Sequence, residues 1–330
     1  MFNYEVKQDK KDNHEYIEIT GYEGNVQNLV IPETIEGIKV EAIGSHAFSA
    51  RQDIVSVSIP SGVRTLRSYV FHNSRNLKKI SIYDSVDDYY DGVVRQCDSL
   101  EEVEITVKRG WFEVVRNFLA DSDRAIRFVI HDYSKNGTDA SGNNSENGIG
   151  YDANLSFPGY VYDFNENTMA RTIQFSIAGA GYAYRECVDR RRIDYRQYDS
   201  LFAKAKIDGG HICQDIAIGR LLHPVELEDR SKAAYESYVR ENGYGILKRF
   251  IDSSKDNTDA LNTLGKLLEY NCDSLKLIDG NQEHAQSVFR EQDIDRVVEY
   301  ASKQDNPAIT SLLMEKTRSA TGSNDFSFGF

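Results

Sequence analysis

"IPETIEGIKVEAIGSHAFSARQDIVSVSIPSGVRTLRSYVF", residues 31–71, says nearly the same thing twice. Ile31-Pro32 returns as Ile59-Pro60, and Ala47-Phe48 returns as Val70-Phe71. Working outward, Phe48, Phe71 and Val94 recur every 23 residues. So do Ile54, Leu77 and Leu100; Val57, Ile80 and Val103; and Ile59, Ile82 and Ile105. Four apolar columns on one period are the signature of a stacked repeat. The first rung, Leu29 and Ile31, lies 28 residues before Val57 and Ile59, so it carries five extra residues, placed around "IEGIK".

Each unit holds a short segment such as "VSVSIP" or "KKISIY" with apolar and polar residues alternating, the pattern of a half-buried strand. One unit cannot bury its apolar face alone, whereas stacked units bury a continuous ladder. The Ile-Pro steps fit strand ends, because proline cannot donate to the ladder. The apolar pair at Ala47-Phe48 or Val70-Phe71 is expected from the opposite wall of the coil. The outward column of the strands then runs Asn28, Ser56, Lys79, Glu102, and next to it Val30, Ser58, Ser81, Glu104, with Tyr83, Tyr89 and Tyr90 nearby. Solenoids bind extended partners on such faces. Asn28, Ser56, Ser58, Lys79, Ser81, Tyr83, Glu102 and Glu104 are the candidate partner-binding residues.

The stretch "EITGYEGNVQNLVIPETIEGIKVEAIGSHAF" (18–48), followed by two further units at the same spacing, resembles the BspA-like class of bacterial leucine-rich repeats. The resemblance covers about residues 1–107. That family places Cys or Asn three residues after the Phe; here the positions hold Arg51, Ser74 and Cys97. The Ile-Gly before the Ala-Phe is Ile43-Gly44 in one unit, then Leu66-Arg67 and Tyr89-Tyr90. After the last rung, "RGWFEVVRNFL" (109–119) reads as a helix with Phe112, Val115, Phe118 and Leu119 on one face, and "AIRFVI" (125–130) as a closing strand. Residues 108–132 are expected to cap the last open rung.

Composition limits the partners. The chain has 330 residues, a formal net charge of -13, and 28% charged and 40% hydrophobic residues. An acidic chain without a basic stripe does not read as a nucleic-acid binder, and it does not favour anionic membrane surfaces. No run has the length of a membrane span. Cys97, Cys187, Cys213 and Cys272 form no Cys-x-x-Cys pair, and the first residues, "MFNYEVKQDKKDNHEY", lack the apolar core of an export signal. A cytoplasmic protein is the expectation, with a secreted or cell-surface adhesin of the same fold as the alternative that the resemblance permits.

"YSKNGTDASGNNSENGIG" (133–150) is nearly all polar, and a flexible linker is expected at 133–149. From there the apolar period lengthens to that of helices. Segments 167–188, 231–243, 259–271, 292–303 and 305–316 each carry an apolar stripe, the first through Met169, Ile173, Ile177, Ala180 and Tyr184. The last begins with Asn306 as cap and Pro307 at the first helical position. The last two resemble the helix–turn–helix of ankyrin-type units without the Thr-Pro-Leu-His signature, and "FPGYVYDF…RRRIDY" is similar to the second half of some BspA-like proteins. The expected organisation is α+β: a leucine-rich repeat solenoid of short parallel strands over 1–132, the linker, an all-helical domain over 150–320, and a disordered tail at 321–330.

Catalytic and metal-binding readings each lack a part. "DFNENT" (163–168) alternates Asp163, Asn165 and Asn167 like a calcium loop, but Thr168 and Gln174 stand where Gly and Glu are needed. "GAG" (179–181) lies in a helical stripe rather than after a strand, so close packing explains it better than a phosphate cradle. His211, Cys213 and His223 complete neither a tetrahedral metal set nor an oriented nucleophile. Arg190, Arg191 and Arg192 are interleaved with Glu186, Asp189, Asp194 and Asp199, which reads as a solvated face before an anion site. The expectation is therefore a non-catalytic interaction module with no cofactor and no metal, whose partner is another protein. An enzyme working through Arg190–Asp199 or Cys213 is the weaker alternative.

Overall fold

The computed structural model describes residues 1–134, 150–167, 172–254, 258–279, 282–304 and 309–313. The chain divides into two compact units: Met1–Gly219 with His223–Glu226, and Arg220–Leu222 with Leu227–Phe330.

The first unit is the solenoid and what closes it. A hairpin of β1 (Phe2–Gln8) and β2 (Glu15–Tyr22) starts it. There follow β3 (Asn28–Val30), β4 (Thr34–Ile35), β5 (Ile38–Ile43), β6 (Ser56–Ser58), β7 (Thr65–Leu66), β8 (Lys79–Tyr83), β9 (Asp88–Tyr89) and β10 (Glu102–Val107). Helix α1 (Glu113–Asp121) and strands β11 (Ile126–Asp132) and β12 (Tyr151–Phe157) come next. One wall has the order β1-β2-β5-β7-β9, with β4 on β5; the other has the order β12-β11-β10-β8-β6-β3. The 23-residue period is the register: Val57 pairs with Ile80, Ile80 with Val103, and all three are buried. The five extra residues of the first rung form the tight β4–β5 hairpin, whose two corner residues, Glu36 and Gly37, have φ of 53° and 83°.

The turns between the walls repeat at the same period. His46, Tyr69 and Gly92 all have left-handed backbone, as do Ala50, Asn73 and Gln96. Each turn donates to the next: Phe48 N to Val70 O (2.9 Å), and Phe71 N to Val93 O (2.8 Å). Phe48 and Phe71 stack at 5.6 Å. Glycine at 92 makes room for the Tyr69 ring, whereas His46 and Tyr69 hold the same backbone conformation with side chains. The Gly92 φ is +71°, and a Cβ there would lie 2.5 Å from Tyr69 Cε1. Three residues after the Phe, Ser74 Oγ donates to Phe48 O (2.8 Å) and Cys97 Sγ to Phe71 O (3.0 Å), so a hydroxyl and a thiol perform one task in successive turns. Arg51 has no earlier turn beneath it. Its guanidinium instead binds the Tyr22 and Gly24 carbonyls and Asp53. The arginine holds the Asp53 carboxyl well below the usual carboxylate range.

A repeat must end, and two aspartates end this one. Gly92 N and Val94 N occupy the positions that donate to a following turn, but no further turn follows. Asp121, the last residue of α1, accepts from Gly92 N (3.1 Å), Val94 N (3.3 Å) and the Tyr89 hydroxyl (2.8 Å). Phe118 of α1 fills the level at which Val94 has replaced the repeating Phe, with its ring 5.5 Å from that of Tyr89. On the other wall the buried Asp84 accepts from Lys108 N, Arg109 N and Trp111 N. The helix and strand expected at 108–132 are thus present as α1 and β11.

Beyond residue 134 the expected organisation needs correction. Residues 135–149 of the expected linker, and the expected tail at 321–330, lie outside the described residues. Residues 150–320 do not coincide with either unit. Strand β12 adds antiparallel to β11, Ile126 opposite Phe157, and so belongs to the solenoid sheet. The rest of the second half is mainly helical, as expected, with two hairpins among the helices. The helical stripe expected over 167–188 is a hairpin of β13 (Val161–Asn167) and β14 (Thr172–Ala178), followed only at its end by α2 (Gly181–Arg185). The β-branched residues of "TIQFSI" favour the strand, and apolar residues four apart satisfy both periods. Helices α3 (Tyr195–Ser200), α4 (Phe202–Asp208) and α5 (His211–Leu222) follow, with the unit division in the last turn of α5.

The second unit holds α6 (Asp229–Glu241), α7 (Gly243–Ser253), α8 (Thr258–Glu269), a hairpin of β15 (Asn271–Asp279) and β16 (Gln282–Ser287), and α9 (Glu291–Ser302). The expected helices at 231–243, 259–271 and 292–303 are α6, α8 and α9, burying Tyr235 and Val239, Leu264, Leu267 and Leu268, and Val297 and Ala301. Of 305–316, only 309–313 is described, and it is helical; Asn306 and Pro307 lie outside the described residues.

Candidate functional site: the outer face of the solenoid sheet

The pleat of the long wall sends alternate residues outward in rows across the strands. One row runs Asn28, Ser56, Lys79, Glu102, Arg127 and ends at Ser156, which is buried. The next runs Val30, Ser58, Ser81, Glu104, Val129, Asn154, and a third joins Tyr83, Thr106, His131 and Asp152. All eight candidate residues therefore lie on one face of one sheet. The column extends two strands further than the repeat period indicates, to Arg127, His131 and Asp152. The period does not reveal these three, because β11 and β12 depart from the 23-residue spacing and 150 onward reads as another domain.

The charges of this face engage one another. Lys79 Nζ bridges Glu102 (2.9 Å) and Glu104 (2.8 Å). Glu102 also pairs with Arg127, and Glu104 takes a hydrogen bond from Ser81 Oγ (3.0 Å). His131 sits between Glu104 (3.4 Å) and Asp152 (2.7 Å). Partial burial opposes both charged forms at Lys79 and Glu104. Their hydrogen bonds to each other and to neighbours outweigh it, raising the pKa of Lys79 and lowering that of Glu104. Ser56 Oγ donates to Asn28 Oδ1 (2.7 Å), and Lys108 Nζ lies 5.3 Å from the centre of the Tyr83 ring. The network holds each long side chain in one place. A partner that docks there meets fixed charges and loses less side-chain entropy.

The other polar clusters have structural tasks. Arg190 pairs with Glu113 (3.1 Å), Arg192 with Asp189 (3.4 Å), Asp194 caps α3 through Gln197 N, and Arg191 is exposed. The unforeseen arginine is Arg185. It donates to the carbonyls of Leu119, Ser122, Arg124, Pro158 and Gly181, tying the end of α1, the approach to β11 and the end of β12 together. Burial pushes its pKa down to about 10. No spacing rule exposes a lone arginine whose partners are all backbone.

Cys213 is buried, donates to Ala205 O (2.9 Å), and has its pKa pushed up by burial, which leaves the thiol poorly nucleophilic. Burial likewise raises Cys97 and Cys187 to about 12. All four cysteines are buried. At "GAG", Gly181 packs α2 on the Pro158 and Gly159 carbonyls, where a Cβ would clash. Asp163, Asn165 and Asn167 lie in β13 rather than in a calcium loop. Asp9, Asp12 and His14 gather at the β1–β2 turn, with His14 held by Asp12 (2.5 Å) and Glu41 (3.1 Å). A groove of about 850 Å³ beside α1 is lined by Arg95, Asp121, Arg124, Tyr160 and Asp208 among others. Its charges are used internally: Arg95 on Asp91, Arg124 on Asp98, Asp208 on Ala180 N.

Residues 21–114 match the BspA type leucine rich repeat region, in six copies. Among solved structures, a leucine rich cell surface protein from Faecalibacterium prausnitzii is similar at 25% identity over 33% of this chain and 33% of its own, with a TM-score of 0.26. The leucine rich repeat protein of T. pallidum is similar at 23% identity over 31% of this chain and 68% of its own, with a TM-score of 0.21. A leucine-rich repeat protein from Bacteroides ovatus is similar at 14% identity over 32% and 48%, with a TM-score of 0.19. The chain thus spans about a third of the length of the first of these. No curated protein matches it. Among the described residues no helix is long and apolar enough to cross a membrane.

Proposed function

We propose that this chain, whose residues 21–114 are a BspA-type leucine-rich repeat region, is a protein-binding module that recognises its partner on the outer face of the solenoid sheet and catalyses no reaction. The observation that carries the reading is the network Arg127–Glu102–Lys79–Glu104, alternating in charge and continued through His131 to Asp152, held on the outer face of that six-stranded sheet. Six strands at about 4.8 Å spacing give this face a width of roughly 24 Å. That width suits an extended protein segment with charges of the opposite order. Asn28, Ser56, Ser58, Ser81 and Tyr83 add neutral hydrogen-bonding groups at one side. An acidic chain and a face of mixed sign disfavour nucleic acid as the partner. Four buried cysteines, none in a Cys-x-x-Cys pair, support a reducing, cytoplasmic location.

The test is capture from the cells of origin with the whole chain and with a Lys79→Glu/Glu102→Lys chain of equal net charge. The protein enriched by the first is then purified and titrated against both. Loss of binding in the swapped chain supports the face; equal titrations reject it.

A further inference from the structure

The two walls of the solenoid begin at different levels. On the long wall β3 is the end strand, and the chain passes from it through the β4–β5 hairpin to the other wall. That other wall continues beyond β5 by two more strands, β2 and then β1. Among the described residues the long wall has no strand beyond β3 to match them. The β1–β2 hairpin therefore projects past β3 as a step.

The floor of the step is apolar. Ile17 and Ile19 of β2 are buried in the core. Val6 is the register partner of Ile17, and Tyr4 of Ile19, so both point to that same inner face. Val6 is nonetheless 49% exposed. The free edge of β3 forms the side. In a parallel ladder alternate residues direct their N–H and C=O to the same neighbour. Gln27 O accepts from Val55 N (2.7 Å) and Ile31 N donates to Ser58 O (2.9 Å), so Gln27, Leu29 and Ile31 face β6. Asn28 and Val30 turn their backbone groups to the open side, where among the described residues they meet no partner. Val30 is 63% exposed. From Gly24 to Pro32 the edge carries no charge, and Glu23 and Glu33 bound it. A second copy cannot pair its β3 here, because its own β5 would then fall at the level that β2 occupies. The occupant is a single extended segment.

We propose that the step beside β3 takes an extended segment of a partner protein as one further parallel strand, apolar at alternate positions and with lysine or arginine at its ends. The backbone of Asn28 and Val30 supplies the hydrogen bonds. Val6 and Tyr4 receive the alternate apolar side chains, and the basic ends lie beside Glu23 and Glu33. This site is separate from the charged outer face and does not depend on it.

The probe is a labelled peptide, KVSVSIK, which copies the strand "VSVSI" of residues 55–59 between two lysines. Fluorescence anisotropy follows its titration with the full chain. Val30→Pro removes an N–H that faces the step and leaves the bonds to β6 intact. Val6→Asp places a charge on the floor. Both positions are exposed, and circular dichroism checks that both variants keep the fold. The expected result is saturable binding below about 1 mM, weakened at least about tenfold in each variant and absent for KSSSSSK. The Lys79→Glu/Glu102→Lys chain should bind the peptide as wild type does. Absence of saturable binding, either variant binding as wild type, or equal binding of the serine peptide overturns the proposal. Weakened binding in the Lys79→Glu/Glu102→Lys chain would put the peptide on the charged face and overturns it equally.

Discussion

Replacing Asp121 with alanine removes one side chain that stands in for a whole missing turn of the solenoid. Its two oxygens accept from Gly92 N, Val94 N and the Tyr89 hydroxyl. Gly92 and Val94 are buried, so without the carboxylate two backbone donors lose their acceptor away from water. Each such donor costs about 1–3 kcal/mol, which sums to about 4 kcal/mol, a large share of a typical domain's stability. Asp121→Asn keeps one acceptor oxygen and should lose about half as much. Asp98→Ala is the control: it breaks an exposed pair with Arg124 (3.4 Å) and should cost under about 1 kcal/mol. The assay is urea unfolding followed by the fluorescence of Trp111, the single tryptophan of the chain, which lies two residues before α1 and reports on this unit alone. Midpoints are compared at constant slope. If Asp121→Ala unfolds within about 1 kcal/mol of Asp98→Ala, the reasoning that this carboxylate replaces a turn is wrong.

Three further outcomes follow from the geometry. Ile82, 2% exposed, should cost about 2–5 kcal/mol on truncation to alanine, and its outward neighbour Tyr83 far less; equal costs in the same urea assay would mean the strand phase is misread. The pKa of Glu104 is lower folded than unfolded, so between the two values the unfolded chain binds more protons and stability rises with pH. The stabilisation is therefore complete above the ordinary glutamate range and lost as pH falls through the lowered value. Urea midpoints of wild type and Glu104→Gln should differ at neutral pH and converge in acid, and a difference that does not depend on pH refutes the linkage. A fragment ending at 132 loses β12 and Arg185, whereas one ending at 226 keeps the whole first unit. Amide exchange should show the longer fragment folded and the shorter one poorly protected, and a well-protected short fragment would show that the solenoid closes without them.

The solenoid is legible because repetition amplifies weak signals. One "VSVSIP" is an ambiguous apolar segment, but four columns at 23 residues leave one register, and β6, β8 and β10 pair in that register. Legibility ends where repetition does. "TIQFSIAGAGYAY" has apolar residues spaced to satisfy both a helix and a strand, and with no second copy to arbitrate it reads as helix. Strand β12 is hidden because polar residues 133–150 suggest a break in the fold, while the chain beyond them returns to the same sheet. The outward charges are legible as a column. Their coupling through Arg127, His131 and Asp152 is not, because those residues are brought beside Glu102 and Glu104 by pairing across the sheet. Arg185 and Asp121, which hold the end of the solenoid, give no signal at all, since their partners are chiefly backbone groups that every residue possesses.

The measurement closest to the central claim is the affinity of the captured partner for the Lys79→Glu/Glu102→Lys chain. The swap preserves attraction between positions 79 and 102. It also sets a glutamate at position 79 against Glu104 and a lysine at position 102 against Arg127, reversing the order of charge along the face at constant net charge. An Arg190→Ala/Arg191→Ala chain, altered outside that face, is titrated beside it. The account predicts at least about tenfold weaker binding for the swapped chain and little change for the arginine variant, since local charge order selects the partner. Unchanged affinity in the swapped chain, with binding lost in the arginine variant, would contradict it.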